Sequence, residues 1–200
     1  MIAWKRLVLT SFVLAAWVAA AGGTPAAEDK TELKKGDKVP SFQATDDKGK
    51  TWKSGEHVGK KVIVVYFFPA DFTGGCTKQA CSYRDDMGKL TSAGIEVVGV
   101  SGDSAKTHAL FKKHHKLNYT LLADEKGEIA KLFGVPFIKK SRTAKGFDEN
   151  DKEIMVERGI TIQRWTFVIG KDGTIVYKNP AVKADQDSKR ILEVVKKQGK

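Results

Sequence analysis

Two cysteines, Cys76 and Cys81, stand five positions apart in the stretch KVIVVYFFPADFTGGCTKQACSYRDD, which runs over residues 61–86. The reactive form of a cysteine is its thiolate, and an unperturbed thiol, with a pKa of ~8.5, is mostly protonated near neutrality. A sulfur in the first turn of a helix faces unpaired N–H groups and the positive end of the dipole, and both favour the anion. Thr73 lies three residues upstream, where its hydroxyl can hydrogen-bond the sulfur and an incoming polar group. Gly74 and Gly75 lack Cβ atoms, so backbone amides there can approach a small ligand closely. The loop reads as a cradle for a small anion or a peroxide. A structural disulfide is the ordinary reading of two cysteines in an exported chain. Five residues of helix, however, separate the Cα atoms by roughly 7.5 Å of rise and about 140° of rotation, beyond the ~7 Å that a bridge tolerates. A disulfide that forms and breaks with local refolding suits this spacing better than a static brace. Arg164, between Gln163 and Trp165, sits in a largely apolar stretch that reads as a buried strand. A guanidinium there needs an anion. A thiolate would serve, and a carboxylate partner or a strand-edge position is the alternative.

The elements that position these groups follow from hydrophobic patterning. Residues 62–68 are seven apolar residues rich in β-branched and aromatic types, a strand buried on both faces, and Pro69 ends it. A small-residue loop follows, then a helix opening at Cys76 that carries Tyr83, Met87 and Leu90 on one face and closes at Gly94. Residues 96–100 read as a strand, residues 101–104 as a capped start to a helix bearing Ala109, Leu110 and Phe111, and residues 119–122 as a short strand. A helix from about residue 125 stops at Gly134. Strands alternating with helices at this spacing imply βαβ units and a mostly parallel sheet, an α/β fold. Residues 36–53 read as a covering hairpin, and residues 165–177 as a second hairpin turning at Lys171-Asp172-Gly173. Residues 136–159 mix lysines with acids and read mostly as loop. Asp187 or Ser188 is expected to cap a last helix with Ile191, Leu192, Val194 and Val195.

Two hundred residues at 41% hydrophobic content allow one domain with a real core. Residues 1–21 stand apart: Lys5 and Arg6 precede a charge-free apolar run that ends in small residues, the pattern of a secretory leader. The run is about 15 residues, short of the ~20 that span hydrocarbon. Residues 22–35 read as a linker, leaving the globular domain at 36–200. The net charge is +11, but the lysines are spread and no basic motif interleaves with aromatics, so nucleic acid is not an expected partner. His57, His108, His114 and His115 show no metal spacing and read as solvated or capping residues. Phosphate loops, nucleophile elbows and HExxH motifs are absent.

Pro69, Thr73 and Cys76 form a PxxxTxxC pattern, Cys81 follows five residues later, and Arg164-Trp165-Thr166-Phe167 completes the set. Together with Gly99-Val100-Ser101, Asp103 and Leu121-Leu122-Ala123-Asp124, these residues resemble the peroxiredoxin superfamily, specifically the bacterioferritin comigratory protein or PrxQ group. The resemblance covers about residues 36–197. It implies a thioredoxin-like fold, a central mixed, mostly parallel sheet flanked by helices. It also implies a thioredoxin-dependent thiol peroxidase in which Cys76 attacks hydrogen peroxide or an alkyl hydroperoxide and becomes a sulfenic acid. In that scheme Arg164 holds the thiolate and polarises the peroxide, Thr73 hydrogen-bonds it, and Pro69 shields the pocket. Cys81 condenses with the sulfenic acid, and an external dithiol reduces the disulfide. No metal or organic cofactor is needed, and resolution within one chain permits a monomer with no stable membrane association once the leader is cleaved. Two departures stand out: Gly74 replaces the family's usual proline, and residues 136–159 exceed the usual connection.

Three other readings compete. A thioredoxin-like disulfide carrier shares the fold but pairs its cysteines as CxxC and places a cis-proline before the facing strand, whereas no proline lies between Pro136 and Pro180. A copper-handling protein would want CxxxC and a placed histidine. A noncatalytic interaction domain would leave the cysteines incidental.

Overall fold

A computed structural model describes residues 32–198. The expected leader at 1–21 and most of the expected linker at 22–35 lie outside the described residues. Leu33 is buried in the core, so packing reaches a few residues upstream of Gly36. The strands are β1 (Gln43–Asp46), β2 (Thr51–Lys53), β3 (Val62–Phe67), β4 (Ile95–Ser101), β5 (Thr120–Ala123), β6 (Phe137–Phe147), β7 (Glu153–Ile162), β8 (Trp165–Ile169) and β9 (Ile175–Asn179). The helices are α1 (Gly74–Ser92), α2 (Ala105–His114), α3 (Glu128–Phe133) and α4 (Asp187–Gln198).

Seven strands form one mixed sheet in the order β2-β1-β5-β4-β3-β8-β9. β3 pairs with β4, and β4 with β5, in parallel, each pair joined through a helix. The other neighbours are antiparallel, so the parallel part is confined to three central strands rather than dominating the sheet. For two of these pairs the reason lies in the connections: short turns join β1 to β2 and β8 to β9, and a short turn can only reverse the chain.

Period-two alternation on β3 divides the core. Ile63, Val65 and Phe67 face Ile129, Phe133, Ile160, Ile162 and Phe167 on one side. Val64, Tyr66 and Phe68 face Cys76, Ala80, Tyr83, Phe111 and Ile191 on the other. Both faces of the sheet are covered, which is why β3 reads as a continuous apolar run. Ser104 caps α2 through its oxygen, which accepts from Thr107 N at 3.2 Å. The Asp124 carboxylate accepts from Ile129 N at 3.1 Å and Ala130 N at 2.8 Å, and Gly134 closes α3 at φ 72°.

Residues 136–159 are not a loop. β6 and β7 form a separate antiparallel two-stranded arm, with a register shift between Lys139 and Arg142. β6 is exposed over most of its length, and the inward row of β7, Val156, Arg158, Ile160 and Ile162, is interrupted by a charge. That arginine hides the alternation that marks a strand. The base of the arm lies so close to the loop after β4 that a Cβ on Gly102 would stand 2.3 Å from Ile160 Cγ1. Only glycine fits there.

Candidate active site

β3 ends at Phe67, and the chain turns through residues 68–73 into α1, setting Cys76 as the third residue of that helix. Its side chain is 2% exposed, and neither cysteine is bridged. Arg164 approaches the sulfur from the break between β7 and β8, not from within a strand, and its Nη2 donates to Cys76 Sγ at 3.1 Å. β8 pairs with β3 in the register Phe67↔Trp165, so the residue before Trp165 is delivered to the end of β3 where the cysteine loop begins. Sheet register therefore joins two groups 88 positions apart.

The other guanidinium nitrogen of Arg164, Nη1, donates to Gln79 Oε1. Gln79 Nε2 donates to Asp187 Oδ2 at 2.7 Å, and the same oxygen accepts from Tyr83 Oη at 2.8 Å and Thr166 Oγ1 at 2.7 Å. Asp187 was an expected helix cap, but its carboxylate turns to α1 and β8. Beside it Ser188 Oγ lies 2.5 Å from Ser82 Oγ and donates to Asp86 Oδ2 at 2.8 Å. Burial pushes the Asp187 carboxyl up, against the pull of Thr166, Tyr83 and Gln79.

Thr73 is the N-cap residue of α1, and its hydroxyl donates to Ala70 O at 3.0 Å instead of to the sulfur. A hydroxyl has one proton, so the oxygen faces any incoming group as an acceptor. Pro69 and Arg164 line a groove of about 630 Å³ with Phe137, Ile138, Ile162 and Val182. A Cβ on Gly75 would meet Arg164 Nη2 at 3.4 Å, whereas one on Gly74 would meet nothing within 4 Å, so the missing proline at 74 is not a steric requirement of this loop. Cys81 lies further along α1 and is half-buried. Just before it, Ala80 O accepts from Tyr119 Oη at 3.1 Å. Tyr66 Oη lies 2.9 Å from Tyr119 Oη, and because the Tyr119 proton is committed to Ala80, Tyr66 is the donor there.

Beneath the loop sits a second buried cluster. His108, expected at the surface or at a cap, is fully buried, with Nδ1 2.7 Å from Asp71 Oδ2 and Nε2 3.2 Å from Leu122 O. The carbonyl requires a proton on Nε2, so Nδ1 and the carboxylate hold one further proton between them. Asp103 Oδ2 accepts from Asp71 N at 2.9 Å and Ser101 Oγ at 2.7 Å. Phe72 follows at φ 57°, a left-handed backbone that costs a non-glycine residue about 1–2 kcal/mol. Its ring is held against Phe111 at 5.1 Å and Phe147 at 6.1 Å, so α2 and the arm fix the loop in that state. His114 stacks on Phe147 at 4.1 Å and pairs with Asp151, docking the arm tip on α2.

Sequence reasoning missed Gln79, Asp187, Asp71 and His108. The spacing of Cys76 and Gln79, one helical turn, was the available signal for the first; the rest are joined only by the fold. Among the described residues no three His, Cys, Asp or Glu side chains converge on a metal-sized site.

Residues 35–178 match the AhpC/TSA family. The chain is 50% identical to the chloroplastic peroxiredoxin Q of Populus jackii over 105 residues, 52% of this chain and 49% of that protein. It is 38% identical over 160 residues to a peroxiredoxin bcp of Coxiella burnetii, 80% of this chain and 95% of that one. The crystal structure of peroxidoxin BcpB from Mycobacterium tuberculosis superposes with a TM-score of 0.68 at 27% identity, covering 82% of this chain and 97% of that one. The chain spans about half the length of several curated plant relatives that it matches. With the fold and two cysteines in place, the chain belongs to the AhpC/TSA family, in its peroxiredoxin Q and bacterioferritin comigratory protein group.

Proposed function

We propose that this protein is a thiol peroxidase that reduces hydrogen peroxide and alkyl hydroperoxides. The observation that carries the reading is the 3.1 Å contact of Arg164 Nη2 with the Sγ of Cys76, a residue only 2% exposed. A guanidinium there stabilises the thiolate and then the charge that develops on the departing oxygen. The Cys76 sulfur attacks the nearer peroxide oxygen, the O–O bond breaks, and the alkoxide or hydroxide leaves and takes a proton. The sulfur keeps the oxygen as a sulfenic acid. Thr73, with its own proton held by Ala70, accepts from the O–H of the hydroperoxide. The groove bounded by Pro69, Phe137, Ile138 and Ile162 gives an alkyl tail an apolar surface.

Cys81 then condenses with the sulfenic acid, releasing water, and an external dithiol of thioredoxin type restores both thiols in a two-electron exchange. The leader-like pattern of residues 1–21 supports an exported location, and an intrachain disulfide supports a monomeric cycle. Stopped-flow oxidation of the reduced protein by hydrogen peroxide tests the reading. Fast oxidation that Cys76→Ser abolishes is expected, with sulfenic acid accumulating in Cys81→Ser. A reaction no faster than that of free cysteine would overturn it.

A further inference from the structure

Gln79 stands between the two cysteines in sequence and between two ions in space. Its amide has one possible orientation. Asp187 Oδ2 is an acceptor, so Nε2 must face it, and Arg164 only donates, so Oε1 must face Nη1. Turned over, the amide would set N–H against guanidinium and carbonyl against carboxylate. Asp187, 2% exposed, is in turn fixed by Tyr83 from α1 and Thr166 from β8, so the anion that orients Gln79 is itself immobile. Asp187 touches neither the sulfur nor the groove beside Arg164.

From this geometry we propose that Asp187 is a positioning residue that acts through Gln79 in two opposed ways: it aims Arg164 at Cys76 Sγ, and it keeps the first turns of α1 wound. The proposal rests on the peroxidase reading and adds a control over its two steps. Closure joins Cys76 Sγ–OH to Cys81 Sγ–H, forming the S–S bond and water with no further oxidant. For the sulfurs to bond, residues 77–80 must leave the helix, because five residues of helix hold them too far apart. Gln79 leaves with them, and its bonds to Asp187 and Arg164 break. The contact that readies the thiolate thus delays the disulfide.

The test measures both steps in Asp187→Asn, which removes the charge and keeps the shape, with hydrogen peroxide as oxidant and timed thiol alkylation to follow closure. Removing the charge from the acceptor of Gln79 Nε2 weakens that bond, and should slow Cys76 oxidation about 5- to 10-fold and speed closure by a similar factor. In a Gln79→Met background the same substitution should alter each rate constant by no more than about 2-fold, since the connecting amide is gone. If Asp187→Asn does not fold, Gln79→Met alone must show the same opposed shifts. Both constants falling together, both unchanged, or an undiminished effect in the Gln79→Met background would overturn the proposal. A wild-type protein that reacts no faster than free cysteine would instead overturn the peroxidase reading beneath it.

Discussion

Behind α1, Asp187 accepts hydrogen bonds from three neutral side chains; beneath the cysteine loop, Asp71 meets an imidazole that itself titrates. Both carboxylates are buried, each has one oxygen without a protein partner, and each supports the same junction of loop and helix. Gln79, Tyr83 and Thr166 cannot lose a proton near neutrality, with burial pushing the Tyr83 phenol further up, so the three donors behind Arg164 keep their protons and only the Asp187 carboxyl, itself pushed up by burial, titrates in that anchor. The Asp71–His108 seat depends on its protons. Burial raises Asp71 to about 6 against the pull of His108. Burial lowers His108, but the Asp71 carboxylate overrides this and the imidazole ends above its ordinary value. The two clusters thus separate aiming from seating: one fixes a direction with neutral donors, the other holds a strained loop with a shared charge.

The sharpest way to break this contrast is at the seat. His108→Leu leaves the Asp71 carboxylate buried without its partner and should cost about 3–5 kcal/mol in urea unfolding. Replacing both residues by apolar ones should recover much of that loss. On the aiming side, Arg164→Met removes the donor from the sulfur and should slow peroxide oxidation about 10²- to 10³-fold with little change in the urea midpoint, because Arg164 is only half-buried.

A third experiment separates the clusters by pH. The Asp71 carboxyl lies above the ~3.9 of an unfolded aspartate, so the native state keeps a proton that the unfolded chain loses. Its contribution is full below about pH 4 and is lost as pH rises through about 6. The raised His108 works in the same direction: its contribution is present below ~6.5 and disappears as pH rises through its native value. Unfolding free energies of wild type and Asp71→Asn, compared from pH 4 to 7, should show the wild type losing up to about 2–3 kcal/mol relative to the variant. A constant difference would mean that the pair does not titrate. The smallest effect is expected from Tyr119→Phe, which removes the donor to Ala80 O beside Cys81. Because the buried Tyr66 hydroxyl also loses its acceptor, a loss of about 1–2 kcal/mol and a modestly faster disulfide closure, read by thiol alkylation, should follow.

How much of this was legible beforehand depended on whether the signal was local. The strand at residues 62–67, the small-residue loop and the cysteine in the first turn of α1 all announce themselves within a few positions. So does the Ser104 cap of α2. The β6–β7 arm did not, because β6 faces water on most of its residues and Arg158 occupies an inward position of β7. His108 offered no signal either, since its partner is 37 residues away in a loop.

The sequence by itself determined a cysteine in the first turn of a helix, the strand and loop before it, and the spacing that forbids a bridge without unwinding, because propensity, periodicity and rise per residue act over a few positions. It also singled out Arg164 as a cation in need of an anion. Which anion it meets, that Gln79 and Asp187 stand behind it, and that Asp71 and His108 seat the loop were decided by the tertiary structure. The register of β8 on β3 and the packing of α4 on α1 bring together groups that no local rule relates, and buried polar groups keep the partners that such packing supplies.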